Sequence, residues 1–562
     1  MNSEIFFNNE DNRLTIGNNL FSKTFENRMN ACGEKDNADS LSEPFTKITT
    51  HGDGQNHTYC IWEDLSVVYM PDYSEKVLHT IKGHHWIIKA IRLNAFTDEC
   101  DTLTNVDEFH FYKMKLYPCT GDIFFLENPE DGNAVVIISE MPDYQTATLS
   151  IEDGNVMLEN GSNPLALGFC KIGECEKLCR NYYRHARKVK NLIAMSNTWG
   201  DFHRFDCARE DFAIREIDAA KEIGVETMQI DDGWQIGSTD DLTLRDEDNR
   251  RIFNENFWEL NKEKFPSGIE YISEYGKQNN VKTGLWFAPE SHDDFALLQR
   301  DINVLKKAYF EWGFRYFKLD MYWITNPAQR DKFLELLKTI YSFGDDVEVQ
   351  LDVTRNERVN YLCGRQYGTV FVENRYTSWR TAYPHRTLRN LWMLSRYIPS
   401  SKFQFEINNP DINTEVYSDD DAFRPCLYDM DYLFAAVMVA NPLFWMELQF
   451  LSQDRRSQLK NIIPVWKEHR SILAKADVEP IGEKPSGRSF TGFYISTDGK
   501  PQYLLLLRES TEKSKIVMPS PVDNAKTKIL ASNTEACIEI KDGMIYAEFN
   551  KPRSYAFVKL SE

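Results

Sequence analysis

Short apolar runs bounded by Gly, Pro, Asn and Asp dominate the first 180 residues. Cys60–Met70, His85–Leu93, Phe109–Tyr117, Asp122–Glu127 and Ala134–Glu140 are rich in Val, Ile, Phe and Tyr. Such residues suit a pleated, half-buried surface, and their spacing predicts a β-sandwich over residues 1–180. Glu174–Lys190 then carries a helical and strongly basic pattern, which reads as a solvated connector.

From Asn191 the rhythm changes. Apolar runs at Leu192–Trp199, Val225–Ile230, Val281–Ala288, Phe314–Leu319, Val347–Val353, Thr369–Val372, Phe403–Ile407 and Pro442–Trp445 alternate with helical stretches. The clearest of these are Ala208–Ile223, Asp294–Trp312, Gln329–Phe343 and Thr387–Tyr397. Strands apolar on both faces, alternating with helices, predict a (β/α)8 TIM barrel over residues 181–473. Neither a GxGxxG nor a GxxxxGK[ST] turn follows any of these strands, so the usual marks of an open nucleotide-binding sheet are missing. After Ala474 alternating runs return, with Asp498-Gly499 and Asp542-Gly543 between them. Asp-Gly supplies the two positive-φ positions of a tight hairpin, so residues 474–562 read as a C-terminal antiparallel β-domain.

Composition narrows the class of partner. The chain has 562 residues, 42% of them hydrophobic, enough to bury more than one core. Lys and Arg number 65 against 86 Asp and Glu, a formal net charge of −21. That balance argues against nucleic acid or an anionic membrane surface as partner. The 11 cysteines contain no CxxC pair, which suggests neither a disulfide framework nor a zinc site but free thiols in a reducing compartment. Met1–Asp11 lacks a secretory pattern and no window holds eighteen apolar residues in a row. A cytoplasmic protein is therefore expected.

Barrel enzymes place reacting groups at the C-terminal ends of their strands. Here those ends offer Trp199 and Asp201, Asp231-Asp232-Gly233-Trp234, Trp286 and Glu290, Lys318 and Asp320, Asp352 with Arg355 and Glu357, Glu373-Asn374-Arg375, and Glu406 with Asn408 and Asp411. A single Asp after a strand is as readily a helix cap. A ring of acids and indoles suits a neutral polyhydroxylated ligand better, since carboxylates accept from hydroxyls and Trp stacks on a sugar face. Only His203 and His292 lie near these ends, so no metal and no cofactor is expected. Glycosidic cleavage needs two carboxyl groups flanking the anomeric carbon. Asp320 is the expected nucleophile. Lys318, two residues earlier on the same strand, faces the same side and would keep it ionised.

Trp199, Ile230-Asp231-Asp232-Gly233-Trp234, the GLWFAPE run Gly284–Glu290, the FKLD run Phe317–Asp320 and the INNPD run Ile407–Asp411 together resemble glycoside hydrolase family 36, of the α-galactosidase clan. The likeness runs from about Asn191 to Phe450 in order and spacing, and the flanking β-domains fit the same architecture. It implies that Asp320 is the nucleophile and that Lys318 contacts the sugar. It implies that Asp231 and Asp232 hold the outer hydroxyls, that Trp199 and Trp286 line the pocket, and that Asn408 and Asp411 support it. Two stretches depart from the family pattern. Asp352–Glu357 replaces a Cys- or Gly-rich turn near the 2-position of the sugar, which adds Asp352 and Arg355 to the expected substrate contacts. After strand six Asn374 stands where an acid/base Asp is expected, beside Glu373. An Asn cannot act as a general acid. Glu373 is therefore taken as acid/base, with Asp352 and Glu357 in reserve and Asn374 as a substrate contact.

The expected activity is that of a retaining, exo-acting α-galactosidase on an oligosaccharide substrate, compatible with a homo-oligomer. The sequence leaves open another α- or arabino-configured glycoside, a transglycosidase on the same fold, and a carbohydrate-binding protein that has lost catalysis.

Overall fold

A computed structural model describes residues 164–561 apart from 242, 244–251, 354–358 and 373–374; before residue 164 it describes the strands named below and few residues between them. Arg355, Glu357, Glu373 and Asn374 therefore lie outside the described residues.

The N-terminal part is antiparallel. Strands 45–52, 55–62, 67–70, 165–171, 133–139, 123–128, 87–93 and 106–111 form one sheet in that order, and 119–121, 147–152, 155–159 and 81–82 form a second. A hairpin ribbon, 6–10, 13–17 and 22–26, precedes them. The run Cys60–Met70, read as one strand, is split between Gln55–Trp62 and Val67–Met70. The two strands pair antiparallel, Cys60 opposite Tyr69 and Ile61 opposite Val68.

The helix Cys175–Ala186 corrects the reading of a solvated connector. It buries Cys175, Leu178, Cys179, Tyr182 and Tyr183. Its Arg180 is also buried, and the guanidinium donates to Asp477 at 2.7 Å and to Glu479 at 2.8 Å, both on the first strand of the C-terminal domain. Arg184 reaches Asp477 as well, at 2.9 Å. Arg180 and Arg184 are thus spent on one internal salt-bridge cluster.

Eight parallel strands then close into a barrel in chain order. They are β1 (Met195–Asn197), β2 (Thr227–Ile230), β3 (Lys282–Phe287), β4 (Tyr316–Leu319), β5 (Glu348–Asp352), β6 (Thr369–Phe371), β7 (Phe403–Ile407) and β8 (Asn441–Trp445). Nearly every residue in them is buried, as expected of parallel strands covered by helices outside and packed side chains inside. The register sets Trp286 of β3 beside Lys318 of β4, and Lys318 beside Gln350 of β5. Met195, Tyr316, Phe371, Tyr376, Leu443 and Trp445 form a compact apolar cluster of their own. Strand β1 is shorter than its hydrophobic run. The Asn197 side chain accepts from the Trp199 N–H at 3.0 Å and turns the chain into a short 3-10 helix over Thr198–Gly200.

The long helix Gln453–Lys475 leads into the C-terminal sheets. These order as 477–482, 490–497, 500–508, 554–561 and 526–532, with 515–519, 544–549 and 536–541 in a smaller one. Both Asp-Gly pairs form hairpin tips, with φ of 51° and 74° at Asp498 and Gly499 and 52° and 71° at Asp542 and Gly543. Among the described residues no helix is long and apolar enough to cross a membrane.

Candidate active site

The ammonium of Lys318 lies among three carboxylates. Its Nζ is 3.1 Å from Asp231 Oδ2, 3.3 Å from Asp352 Oδ2 and 3.5 Å from Asp320 Oδ2. The four side chains come from the ends of β2, β4 and β5 and are all buried. Burial opposes the charge on Lys318, but Asp231, Asp320 and Asp352 outweigh it and hold its pKa above the ordinary lysine range. The indole of Trp445, at the end of β8, closes this cluster with its ring centroid 4.9 Å from Nζ.

Asp320 is held by three donors. Trp286 Nε1 donates to Oδ2 at 3.0 Å, and Lys318 faces the same oxygen. The N–H of Met321 turns back onto Oδ1 at 2.6 Å, a bend that places Met321 in the left-handed region at φ 58°. A non-glycine residue at positive φ stores strain, and here it fixes the carboxylate. Trp286 is fully buried, so it offers Asp320 an N–H and offers a ligand no ring face.

Asp231 and Asp232 play unequal parts. Asp231 Oδ2 accepts from Asn197 Nδ2 at 2.6 Å as well as from Lys318, and its Oδ1 accepts from the Asp232 N–H at 2.9 Å. Asp232 accepts from Gln235 Nε2 at 2.6 Å and from the Thr239 hydroxyl. Trp199 is half-buried at the rim. It packs edge-on to Phe205 at 4.8 Å, and the Arg204 guanidinium lies over Trp199, Tyr376 and Trp379. Trp379 is 43% exposed, so this stack forms a wet aromatic wall beside the acids.

The structure thus brings Asp231, Asp232, Trp286, Lys318, Asp320 and Asp352 together, with Trp199 beside them. Asn408 instead donates to the Arg375 carbonyl at 2.7 Å, and Asp411 pairs with Arg455 at 2.7 Å. Sequence reasoning missed Asn197, Trp445 and the Arg204 stack. Trp445 was readable as the end of the eighth strand. The others depend on contacts between segments that no local pattern displays.

A second acidic group lies beneath the loop after β1. Burial pushes Asp201 up to about 8, and the neighbouring Glu447 and Glu216 carboxylates add to it against backbone and Asn409 hydrogen bonds. Burial likewise pushes Glu216 up to about 7, against hydrogen bonds from Leu448 and Gln449.

Comparison with known proteins places this geometry. A family model described as Melibiase matches residues 160–302. The α-galactosidase Mel36A of Lactobacillus acidophilus is 28% identical over 135 residues, 24% of this chain and 16% of that protein. α-Galactosidase 1 of Pediococcus pentosaceus is 32% identical over 116 residues, 20% of this chain and 14% of that protein. The aligned stretch therefore spans only a small part of these relatives. The fold likeness is much broader. The family 36 α-galactosidase AgaA of Geobacillus stearothermophilus, in complex with raffinose, superposes with a TM-score of 0.63 over 92% of this chain and 83% of that one, at 12% identity. The α-galactosidase of Lactobacillus brevis gives 0.64 over 93% and 83%, also at 12%. In sequence the matched stretch is α-galactosidase-like, and the fold as a whole is like that of family 36 α-galactosidases.

Proposed function

We propose that this α-galactosidase-like chain is a retaining, exo-acting α-galactosidase that releases terminal α-galactosyl residues from oligosaccharides. The observation that carries this reading is Asp320. It is a buried carboxylate at the C-terminal end of a barrel strand, fixed by the Trp286 and Met321 N–H groups and charge-balanced by Lys318. Held in that way, it has the setting of a nucleophile for an oxocarbenium-like centre. Asp320 attacks the anomeric carbon while Glu373 gives its proton to the departing glycosidic oxygen. Glu373 then takes a proton from water, which cleaves the glycosyl–Asp320 ester and restores both groups. Asp231 and Asp232 accept from the sugar hydroxyls, Lys318 donates to one, and Trp199 walls the rim. Arg355 and Asn374 complete the set of substrate contacts. Raffinose, held by the Geobacillus relative, exemplifies the substrate class. The eight described cysteines are all free, which supports a reducing compartment such as the cytoplasm.

One observation favours a second reading, cleavage of a different α- or arabino-configured glycoside. Asp352 lies inside the charged cluster, at the strand end where the family resemblance implies a Cys- or Gly-rich turn near the sugar's 2-position.

A panel of aryl glycosides separates these. Cleavage of the α-galactoside by wild type, none by Asp320→Ala, and loss by Glu373→Ala mainly on poor leaving groups supports the proposal. Cleavage of another member of the panel in its place supports the second reading. A wild type that cleaves no glycoside sinks both.

A further inference from the structure

We propose that His203, Cys207 and Glu447 form a binding site for a zinc-like divalent cation that clips the loop after β1 to the end of β8. His203 and Cys207 lie four residues apart, flanking and closing a short 3-10 turn, and Glu447 follows β8 by two residues. Their ligand atoms all fall within 4.8 Å of one another. His203 Nδ1 is 3.0 Å from Glu447 Oε1, and Cys207 Sγ is 3.4 Å from the same oxygen. Around a tetrahedral zinc, ordinary bond lengths set these separations near about 3.4 Å and about 3.6 Å. Both contacts through Glu447 lie within a few tenths of an ångström of those values, and the His203-to-Cys207 separation is within 4.8 Å.

The surroundings favour a cation. Asp201, Glu216 and Glu447 are 8%, 0% and 1% exposed, and among the described residues none of them pairs with a Lys or Arg. Asp201 Oδ2 accepts from the Glu447 N–H at 2.9 Å, which fixes this carboxylate against the cluster. Glu447 is the buried acid that meets both His203 and Cys207, and a divalent ion bound by the three would balance its charge. The donor set selects the metal. Imidazole, thiolate and a single carboxylate suit zinc and its first-row neighbours, whereas magnesium and calcium prefer oxygen alone. Cys207 and Glu447 are buried, but the His203 side chain is 47% exposed, so the site has an entry path and room for water as fourth ligand. On binding, the Cys207 thiol gives its proton to solvent and its sulfur bonds the metal.

None of these three residues is assigned to the sugar, and the test does not use turnover. The full-length protein is stripped with a chelator and titrated with Zn(II) against a chromogenic competitor, then with Co(II). We expect one equivalent per chain bound below micromolar and a sulfur-to-cobalt charge-transfer band. Cys207→Ser should abolish the band and weaken Zn(II) at least tenfold, and His203→Gln should weaken it similarly. Cys537→Ser, at an exposed cysteine, should change neither. Thermal unfolding of the stripped variants controls for misfolding. Should Cys207→Ser lower the stripped midpoint, His203→Gln decides alone, since its ring is half outside. Weak binding without the band, or binding untouched by both ligand variants, overturns the site and leaves a hydrogen-bonded staple.

Discussion

The indole N–H of Trp286 donates to Asp320 Oδ2 at 3.0 Å, from the end of one barrel strand to the end of the next. Register makes this possible, because Trp286 and Lys318 are direct neighbours across β3 and β4 and Asp320 follows Lys318 by two residues. A tryptophan that the family resemblance puts in the pocket lining therefore acts from beneath the acid.

Trp286→Phe keeps most of the buried ring and removes that donor. A hydrogen bond to a charged group is worth about 1.5–3 kcal/mol. With only Met321 N–H and Lys318 left, Asp320 should spend less time in the attacking orientation. We expect kcat on an activated α-galactoside to fall roughly 10- to 100-fold, with KM little changed. A fall confined to KM would mean that the indole binds sugar instead.

Lys318→Met tests the charge cluster. It would leave Asp231, Asp320 and Asp352 buried around an apolar chain. Removing one partner from a buried ion cluster costs about 3–5 kcal/mol. Urea unfolding at neutral pH measures it. An unchanged midpoint at neutral pH would contradict the central place given to the ammonium.

Arg180→Ala should loosen the joint between the first helix and the C-terminal sheet. The guanidinium is 3% exposed and bonds Asp477, Glu479 and the Arg396 carbonyl. Its loss takes the bidentate partner from Asp477, leaving it Arg184 alone, and should cost about 3 kcal/mol. Arg184→Ala, at a side chain 29% exposed, should cost much less. Equal effects in the two variants would refute a role specific to Arg180.

These contacts show where a linear reading succeeds and where it stops. All eight barrel strands were legible because short, largely apolar runs alternate with helical stretches, and Phe403–Ile407 coincides with β7 residue for residue. The acids after those runs were legible through the strand-end rule. Arg180 was not, because a basic helix looks solvated until Asp477 is seen to pack against it. Asn197 was not, since its side chain both shortens β1 and supports Asp231. Glu447 was passed over for the same reason. Its partners His203 and Cys207 arrive from the opposite end of the barrel sequence, where neither has a neighbour that marks it.

Acid should weaken the segment that follows β6. His385 stands at the start of the helix Pro384–Leu394, between the rings of Tyr383 and Phe423 at 5.7 and 5.0 Å. Burial, together with the Arg389 and Arg375 guanidinium groups, lowers its pKa to about 4, against the smaller opposing pull of Asp421. Unfolded, the imidazole titrates near about 6.5. Between those values the unfolded chain binds the extra proton, so stability rises with pH there. The contribution is complete above about 6.5, declines as pH falls, and is gone below about 4. A shift of this size is worth at most roughly 3 kcal/mol. His385→Gln removes the titration and leaves every other group in place. The drop in unfolding free energy from pH 7 to pH 4 should therefore be smaller in the variant by up to that amount. Parallel pH profiles for the two proteins would show that His385 is protonated as readily in the folded chain as in the unfolded one, and that the guanidinium groups beside it are screened.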